Sequence, residues 1–161
     1  YNALTVRPIV ESYPLASIRD LDSPFDKKVA VVEGVALSIN DIEHRILRPI
    51  WREPRIHYAV NCASIGCPNL HPVAFTGGNT GELLELAAYS YINHLRGARI
   101  EEGELIVSKI YGWFAEDFGG DEQGVIAHLR EYAKSPLLDA LRRRDGINKY
   151  EYDWSLNDAG P

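Results

Sequence analysis

The chain has 161 residues, 45% hydrophobic and 25% charged, which is enough apolar content for one sizeable core and excludes a disordered chain. Its net charge of −6 argues against a nucleic-acid or anionic-membrane surface. No apolar run reaches the ~20 residues of a membrane-spanning helix, so neither a nucleic-acid partner nor membrane insertion is expected.

Asn2 to Tyr13 carries Leu4, Val6, Ile9, Val10 and Tyr13 at helical spacing. Pro8 fits that helix only if it starts near Thr5, so that the ring falls in the first turn. Residues 15–26 hold Asp20, Asp22, Ser23 and Pro24 and read as loop. Lys28 to Val32 and Val35 to Leu37 flank Glu33-Gly34 as a short hairpin. Ser38 is an N-cap for a helix from Ile39 to Arg48 that Pro49 stops. Ile39, Ile42, Ile46 and Leu47 make its apolar stripe. Glu43 lies inside that stripe and His44 at its border. A core-facing carboxylate needs a partner, and Arg48, Arg55, His44 and His57 are the candidates.

Pro54 to Leu70, PRIHYAVNCASIGCPNL, begins as an expected strand with Ile56, Tyr58 and Val60 on one face and His57, Ala59 and Asn61 on the other. It then breaks into the small residues around Cys62 and stops at Pro68. Asn69 to Asn79 reads as loop, and Thr80 caps a helix to Leu95 with a Leu84, Ala88, Tyr91, Leu95 seam, closed by Gly97. Arg99–Glu101 and Leu105–Ser108 form a hairpin about Glu102-Gly103. Helices follow over 109–118, from Asp121 to Ala133, and from Ser135-Pro136 to Arg144, whose basic run Arg142–Arg144 suits a helix end. Tyr150, Tyr152 and Trp154 alternate in a last strand expected to return beside Cys62. The order predicts an α+β fold: one domain over 1–161, with a small mixed or antiparallel sheet surrounded by several helices.

Both cysteines of the chain, Cys62 and Cys67, lie in the central stretch. A thiolate nucleophile at Cys62 needs a base, and the small residues 63–66 allow backbone N–H groups to face an oxyanion, with Asn61 or Ser64 as added donors. On a regular strand His57 points away from Cys62, roughly 16 Å along the chain, and serves only if the strand is distorted. His44 has no such restriction, and Glu43 or Asp153 would orient the imidazole in a Cys-His-acid arrangement. Papain-like and transglutaminase-like folds provide the analogy. Arg55 and Asn157 are further candidates for binding.

A structural Cys62–Cys67 disulfide is the competing reading, since the turn between them can bring the two Cα atoms into range. Zinc on His57, Cys62, Cys67 and His71 is a third, opposed by spacing that matches no usual finger. A binding module using Trp51, Trp113, Trp154 and the nine tyrosines is a fourth. His94 and His128 sit on amphipathic helices and are given no role.

YNALTV, YPLASIRD, SINDIEHRILRP, EPRIHYAVNCASIGCPNL, VSKIYGWFAEDFGG and YDWSLN together resemble the family called domain of unknown function 547. The resemblance spans residue 1 to about residue 157 and is most specific around Cys62. It implies a globular domain often carried by exported bacterial proteins, hence an exported or periplasmic location. It also implies kinship with plant domains that follow a coiled coil and with domains beside glutaredoxin-like modules. It brings no activity. Pro8 in the first helix and Asn69 in place of a frequent second proline depart from the family pattern. Family members usually carry more chain ahead of YNALTV, and the sequence has no methionine, so Tyr1 reads as an internal start after trimming or processing.

The expectation is a cysteine-dependent hydrolase or acyl transferase acting on an amide or thioester. Cys62 is its nucleophile, it has no cofactor and no metal, and its substrate or partner is an unidentified protein or peptide. The alternative is a non-enzymatic partner-binding domain stapled by Cys62–Cys67.

Overall fold

Helix α1 spans Asn2–Ser12 in the computed structural model, which describes residues 1–158. It starts ahead of the expected Thr5, and Pro8 sits inside it rather than in its first turn. The early start is anchored by the Thr5 N–H donating to the Tyr1 carbonyl at 3.0 Å. The missing Pro8 N–H deprives only the Leu4 carbonyl of its helical partner. Thr5 and Ile9 are buried while Val10 is exposed, a narrower stripe than the spacing predicts.

Antiparallel strands β1 (Lys28–Val32) and β2 (Val35–Ser38) form the expected hairpin. Both turn residues, Glu33 (φ 49°) and Gly34 (φ 79°), are left-handed, the backbone of a type I′ turn that matches the strand twist. Ser38 caps α2 (Ile39–Asp41) by accepting the Asp41 N–H at 3.1 Å while the Asp41 carboxylate accepts the Ser38 N–H at 2.8 Å.

The helix then widens into a π-helix over Ile42–Leu47, and α3 (Arg48–Trp51) completes it. The Arg48 N–H reaches back to the Glu43 carbonyl, the five-residue step of a π turn. Pro49, just beyond, would crowd the Arg45 carbonyl in a regular helix, and widening relieves that clash. Pro49 therefore does not stop the helix. The stop comes at left-handed Arg52 (φ 49°).

The expected strand at 54–61 is absent. Pro54–Tyr58 is a 3-10 helix whose Arg55 N–H donates to the Glu53 carboxylate at 3.0 Å. Ile56, His57 and Tyr58 are all buried, which no two-faced strand exposed on one side allows. The chain divides here. One unit comprises Tyr1–Leu70 and the described residues from Asp153 onward; the other is His71–Tyr152. In the first, Ile9, Ile18 and Leu156 are buried together with Leu15, Leu21, Phe25, Ala63 and Trp154 around them. The residues expected as plain loop contain a 3-10 turn, Ile18–Asp20, capped by Ser17.

In the second unit, α4 (Thr80–Ile92) buries Leu84, Ala88 and Tyr91 but ends before Leu95, which is exposed. β3 (Ala98–Glu101), β4 (Glu104–Ser108) and β5 (Lys149–Glu151) make a mixed sheet in that order: β3–β4 antiparallel, β4–β5 parallel. β5 stops at Glu151, so Trp154 is not in a strand as its alternation suggested. α5 (Lys109–Trp113), a 3-10 turn (Ala115–Phe118), α6 (Glu122–Tyr132) and α7 (Leu137–Leu141) cover the sheet's hydrophobic residues. Asp121 caps α6 through the Gly124 N–H at 2.8 Å. His128, expected on a helix surface, is buried between the rings of Phe118 and Tyr132. The class is α+β, with two small sheets rather than one built around Cys62.

Candidate functional site

Residues 59–68 form a loop with no sheet ladder, and its backbone is satisfied by side-chain amides. Asn2 on α1 acts as a surrogate strand: its Nδ2 donates to the Ala59 carbonyl at 2.8 Å and its Oδ1 accepts the Asn61 N–H at 2.8 Å. Asn61 then braces the loop from inside. Its Oδ1 accepts the Ala63 N–H at 2.8 Å and its Nδ2 donates to the Pro68 carbonyl at 2.7 Å. Asn61 is buried, so it frames the site instead of meeting a substrate, as expected of it from sequence. Ala63 is held at φ 61°, a left-handed position costly for a residue with a Cβ.

The returning C-terminal segment clamps the same loop. The Ile65 N–H donates to the Ser155 carbonyl and the Gly66 N–H to the Asp153 carbonyl, both at 2.8 Å. The Asn157 N–H donates to the Ala63 carbonyl, also at 2.8 Å, and Ser64 bridges Leu156. The expected return beside Cys62 is therefore real, although it is made by main chain. Asp153 is exposed, and hydrogen bonds from the Ser155 hydroxyl and then from the Ser155 N–H, the latter at 2.8 Å, hold its carboxylate pKa below the usual range. It turns the chain and does not orient a histidine. Asn157 is exposed and meets the loop through its main chain.

This bonding corrects the expected oxyanion donors. The N–H groups of Ala63, Ile65 and Gly66 are committed to the bonds above, and that of Cys67 goes to the Ser64 carbonyl at 3.0 Å. The hydroxyl of Ser64, an expected donor, lies beside Cys62, with Oγ 3.0 Å from the Cys62 sulfur.

Cys62 is half-buried and Cys67 is 3% exposed. No disulfide joins them in this structure. Their sulfurs nevertheless touch at 2.8 Å, and the Cys67 sulfur also accepts the Cys62 N–H at 2.9 Å. The Cys62 thiol is the donor in that contact, and the Cys67 thiol is directed at the Val60 carbonyl at 3.9 Å.

Glu43 is 5% exposed on the π-helix. Its Oε2 accepts the Tyr1 hydroxyl at 2.8 Å, and its Oε1 lies 4.0 Å from His57 Nδ1. Burial chiefly, and then the Glu43 charge, push the Tyr1 phenol far above its ordinary pKa; the charges of Cys62 and Cys67 act in the same direction. Tyr1 therefore joins the carboxylate to the neighbourhood of the thiols. His57 is 2% exposed, and the 3-10 turn removes the opposite-face restriction that a strand would impose. His44 is exposed, with Nδ1 3.0 Å from an Arg48 guanidinium nitrogen. The π turn sends Glu43 inward and His44 outward. Arg55 makes a bidentate pair with Glu53, at 2.8 and 2.7 Å, where a substrate contact was expected.

Sequence reasoning missed Tyr1 and Asn2. Their partners lie 42, 57 and 59 positions away, and no local pattern marks them. Among the described residues, no three His, Cys, Asp or Glu side chains come together as a metal site. The His71 ring lies edge-on to Phe75, with centroids 5.5 Å apart. Among the described residues no helix is long and apolar enough to cross a membrane.

The model of the family described as "Protein of unknown function, DUF547" matches residues 1–92, more than half of the chain. The chain belongs to that family. The match covers Tyr1, Asn2, Glu43, His57 and the whole loop from Ala59 to Pro68. VSKIYGWFAEDFGG and YDWSLN lie outside it. No curated protein and no solved structure matches the chain.

Proposed function

We propose that this DUF547 domain is a thiol enzyme that transfers or hydrolyses an acyl group from an amide or thioester, with Cys62 as nucleophile. The observation that carries the reading is the Cys62 sulfur itself. It is half-exposed and in contact with both the Ser64 hydroxyl and the Cys67 thiol, on a loop braced from both ends. Hydrogen bonds to the ionised form lower a thiol's pKa, and the Ser64 hydroxyl beside the sulfur can donate one.

The Cys62 thiolate attacks the acyl carbon and a C–S bond forms. The amine or thiol leaves with a proton, and water or an acceptor releases the acyl group in the second half. His57 is the general acid–base of this scheme. Glu43, with Oε1 4.0 Å from Nδ1, is the ion-pair partner of the protonated ring, and Tyr1 holds Glu43 in place. Ser64 supplies one donor to the tetrahedral oxyanion.

The test is the pH dependence of Cys62 alkylation by iodoacetamide, paired with mass-spectrometric trapping of an acyl adduct from simple thioesters and activated amides. The expected alkylation midpoint lies below the ordinary thiol value of about 8.5. His57→Ala is expected to move that midpoint, and Cys62→Ala to abolish the adduct. A Cys62 that titrates as an ordinary thiol and forms no acyl adduct refutes the reading.

A partner-binding role is the second reading. It is favoured by adjacent Ile50 and Trp51 at the end of α3, which are 63% and 60% exposed. Paired exposed apolar side chains of this size suit a contact surface for another protein.

A further inference from the structure

We infer that Cys62 and Cys67 form a reversible redox couple, in which Cys62 is oxidised by a hydroperoxide and Cys67 resolves the product as an intramolecular disulfide. The inference goes beyond acyl transfer and does not need it. It uses the same accessible sulfur, and only its consequence for activity rests on that reading.

Three observations combine. First, the thiols differ in access: Cys62 is half-buried, whereas Cys67 is 3% exposed, so an oxidant in solution meets Cys62. Second, the sulfurs are already in contact at 2.8 Å, so the second thiol needs no unfolding to reach the first. Third, the loop that carries them is closed by bonds that leave the sulfurs untouched. Asn61 spans Ala63 to Pro68, the Cys67 N–H returns to the Ser64 carbonyl, and the C-terminal segment holds Ile65 and Gly66. The frame persists whichever form the sulfurs take.

The chemistry balances with a hydroperoxide as co-reactant. The Cys62 thiolate attacks the outer oxygen, the O–O bond breaks, and the leaving alkoxide or hydroxide takes a proton. Cys62 becomes a sulfenic acid. The Cys67 thiolate attacks the Cys62 sulfur, the S–S bond forms, the S–O bond breaks, and water leaves with the proton from Cys67. The two electrons lost by the thiols reside in the alcohol or water derived from the peroxide. A dithiol reductant reverses the step by exchange. The buried second thiol thereby keeps Cys62 from the irreversible sulfinic state. Where acyl transfer also holds, the disulfide switches it off by consuming its nucleophile.

The experiment treats the whole chain with stoichiometric hydrogen peroxide at neutral pH, followed by quenching, maleimide labelling in denaturant so that both thiols are reachable, intact mass and peptide mapping. The expected result is a fall from both cysteines labelled to none, the loss of two hydrogens per chain, a Cys62–Cys67 crosslinked peptide, and full recovery with dithiothreitol. Cys67→Ser is expected to give a dimedone-trappable sulfenic acid at Cys62 that proceeds to the sulfinic acid. Cys62→Ser is expected to keep its one label, because the remaining sulfur is buried. The wild-type arm needs no variant to fold. Wild-type protein that accumulates sulfenic or sulfinic Cys62, or crosslinks between chains, overturns the inference even if Cys62 forms acyl adducts. An intramolecular disulfide without any acyl adduct upholds it and sinks the acyl-transfer reading alone.

Discussion

Removing the Glu43 carboxylate tests the frame on which the site is built. Glu43 is 5% exposed, accepts the Tyr1 hydroxyl at 2.8 Å and faces His57 Nδ1 at 4.0 Å. Glu43→Ala leaves a buried phenol and a buried imidazole without that acceptor, and breaking a buried pair from one side costs about 3–5 kcal/mol. Glu43→Gln keeps a carbonyl for the Tyr1 hydroxyl and loses the charge, so its cost is that of weakening one charged hydrogen bond, about 1–2 kcal/mol. With a urea slope of about 2 kcal/mol per molar, the alanine variant's midpoint drops by about 1.5–2.5 M and the glutamine variant's by about 0.5–1 M. Urea unfolding followed by tryptophan fluorescence gives both values. A double-mutant cycle with Tyr1→Phe isolates the Tyr1–Glu43 contact, where contacting residues show coupling of about 0.5–3 kcal/mol. A loss under about 1 kcal/mol for the alanine variant is what a surface pair would give. That result, or a coupling of zero, would refute the buried arrangement.

Gly97→Ala is expected to destabilise by at least about 2 kcal/mol, because a Cβ there would lie 1.9 Å from the Tyr91 carbonyl oxygen; an unchanged unfolding midpoint would show that this close approach is wrong. Hydrogen bonds from Lys149 and then Arg99 hold the folded Glu151 pKa at about 2, against 4.5 ordinarily. A lowered carboxylate pKa adds stability above 4.5 that disappears as pH falls toward 2. Glu151→Gln should therefore lose up to about 1 kcal/mol relative to wild type at neutral pH, since the pairs are solvent-screened, and the difference should close by pH 2. A difference that persists at pH 2 contradicts this.

The elements legible in sequence are those fixed by short-range chemistry. Both hairpins turn at Glu-Gly pairs whose residues are left-handed, and Ser38 and Asp121 cap their helices as their side chains dictate. The buried place of Glu43 was legible from its apolar stripe. The central stretch was not, because alternation across Ile56, His57 and Tyr58 mimics a strand although all three are buried in a 3-10 turn. The signal for that turn was Pro54 after Glu53, whose carboxylate accepts the Arg55 N–H. The outward place of His44 has a similar origin. Pro49 was read as a stop, but a widened helix accommodates it and rotates His44 outward.

The same reasoning explains why the candidate site is made of irregular backbone. A loop outside any ladder must satisfy its N–H and C=O groups by other means, and here two asparagine side chains and the main chain of residues 153–157 supply the partners. A strand would have alternated Cys62 with its neighbours across two faces. The braced loop instead folds Ser64 and Cys67 back onto the Cys62 sulfur, which no period-two backbone does for residues two and five positions on. Its maintenance depends on Tyr1 and Asn2, joined to it only through the fold. The geometry around Cys62 and the attachment of the first helix are therefore coupled: whatever loosens residues 1 and 2 also removes the donor and acceptor that hold Ala59 and Asn61, and with them the bracing of the loop that carries the two sulfurs.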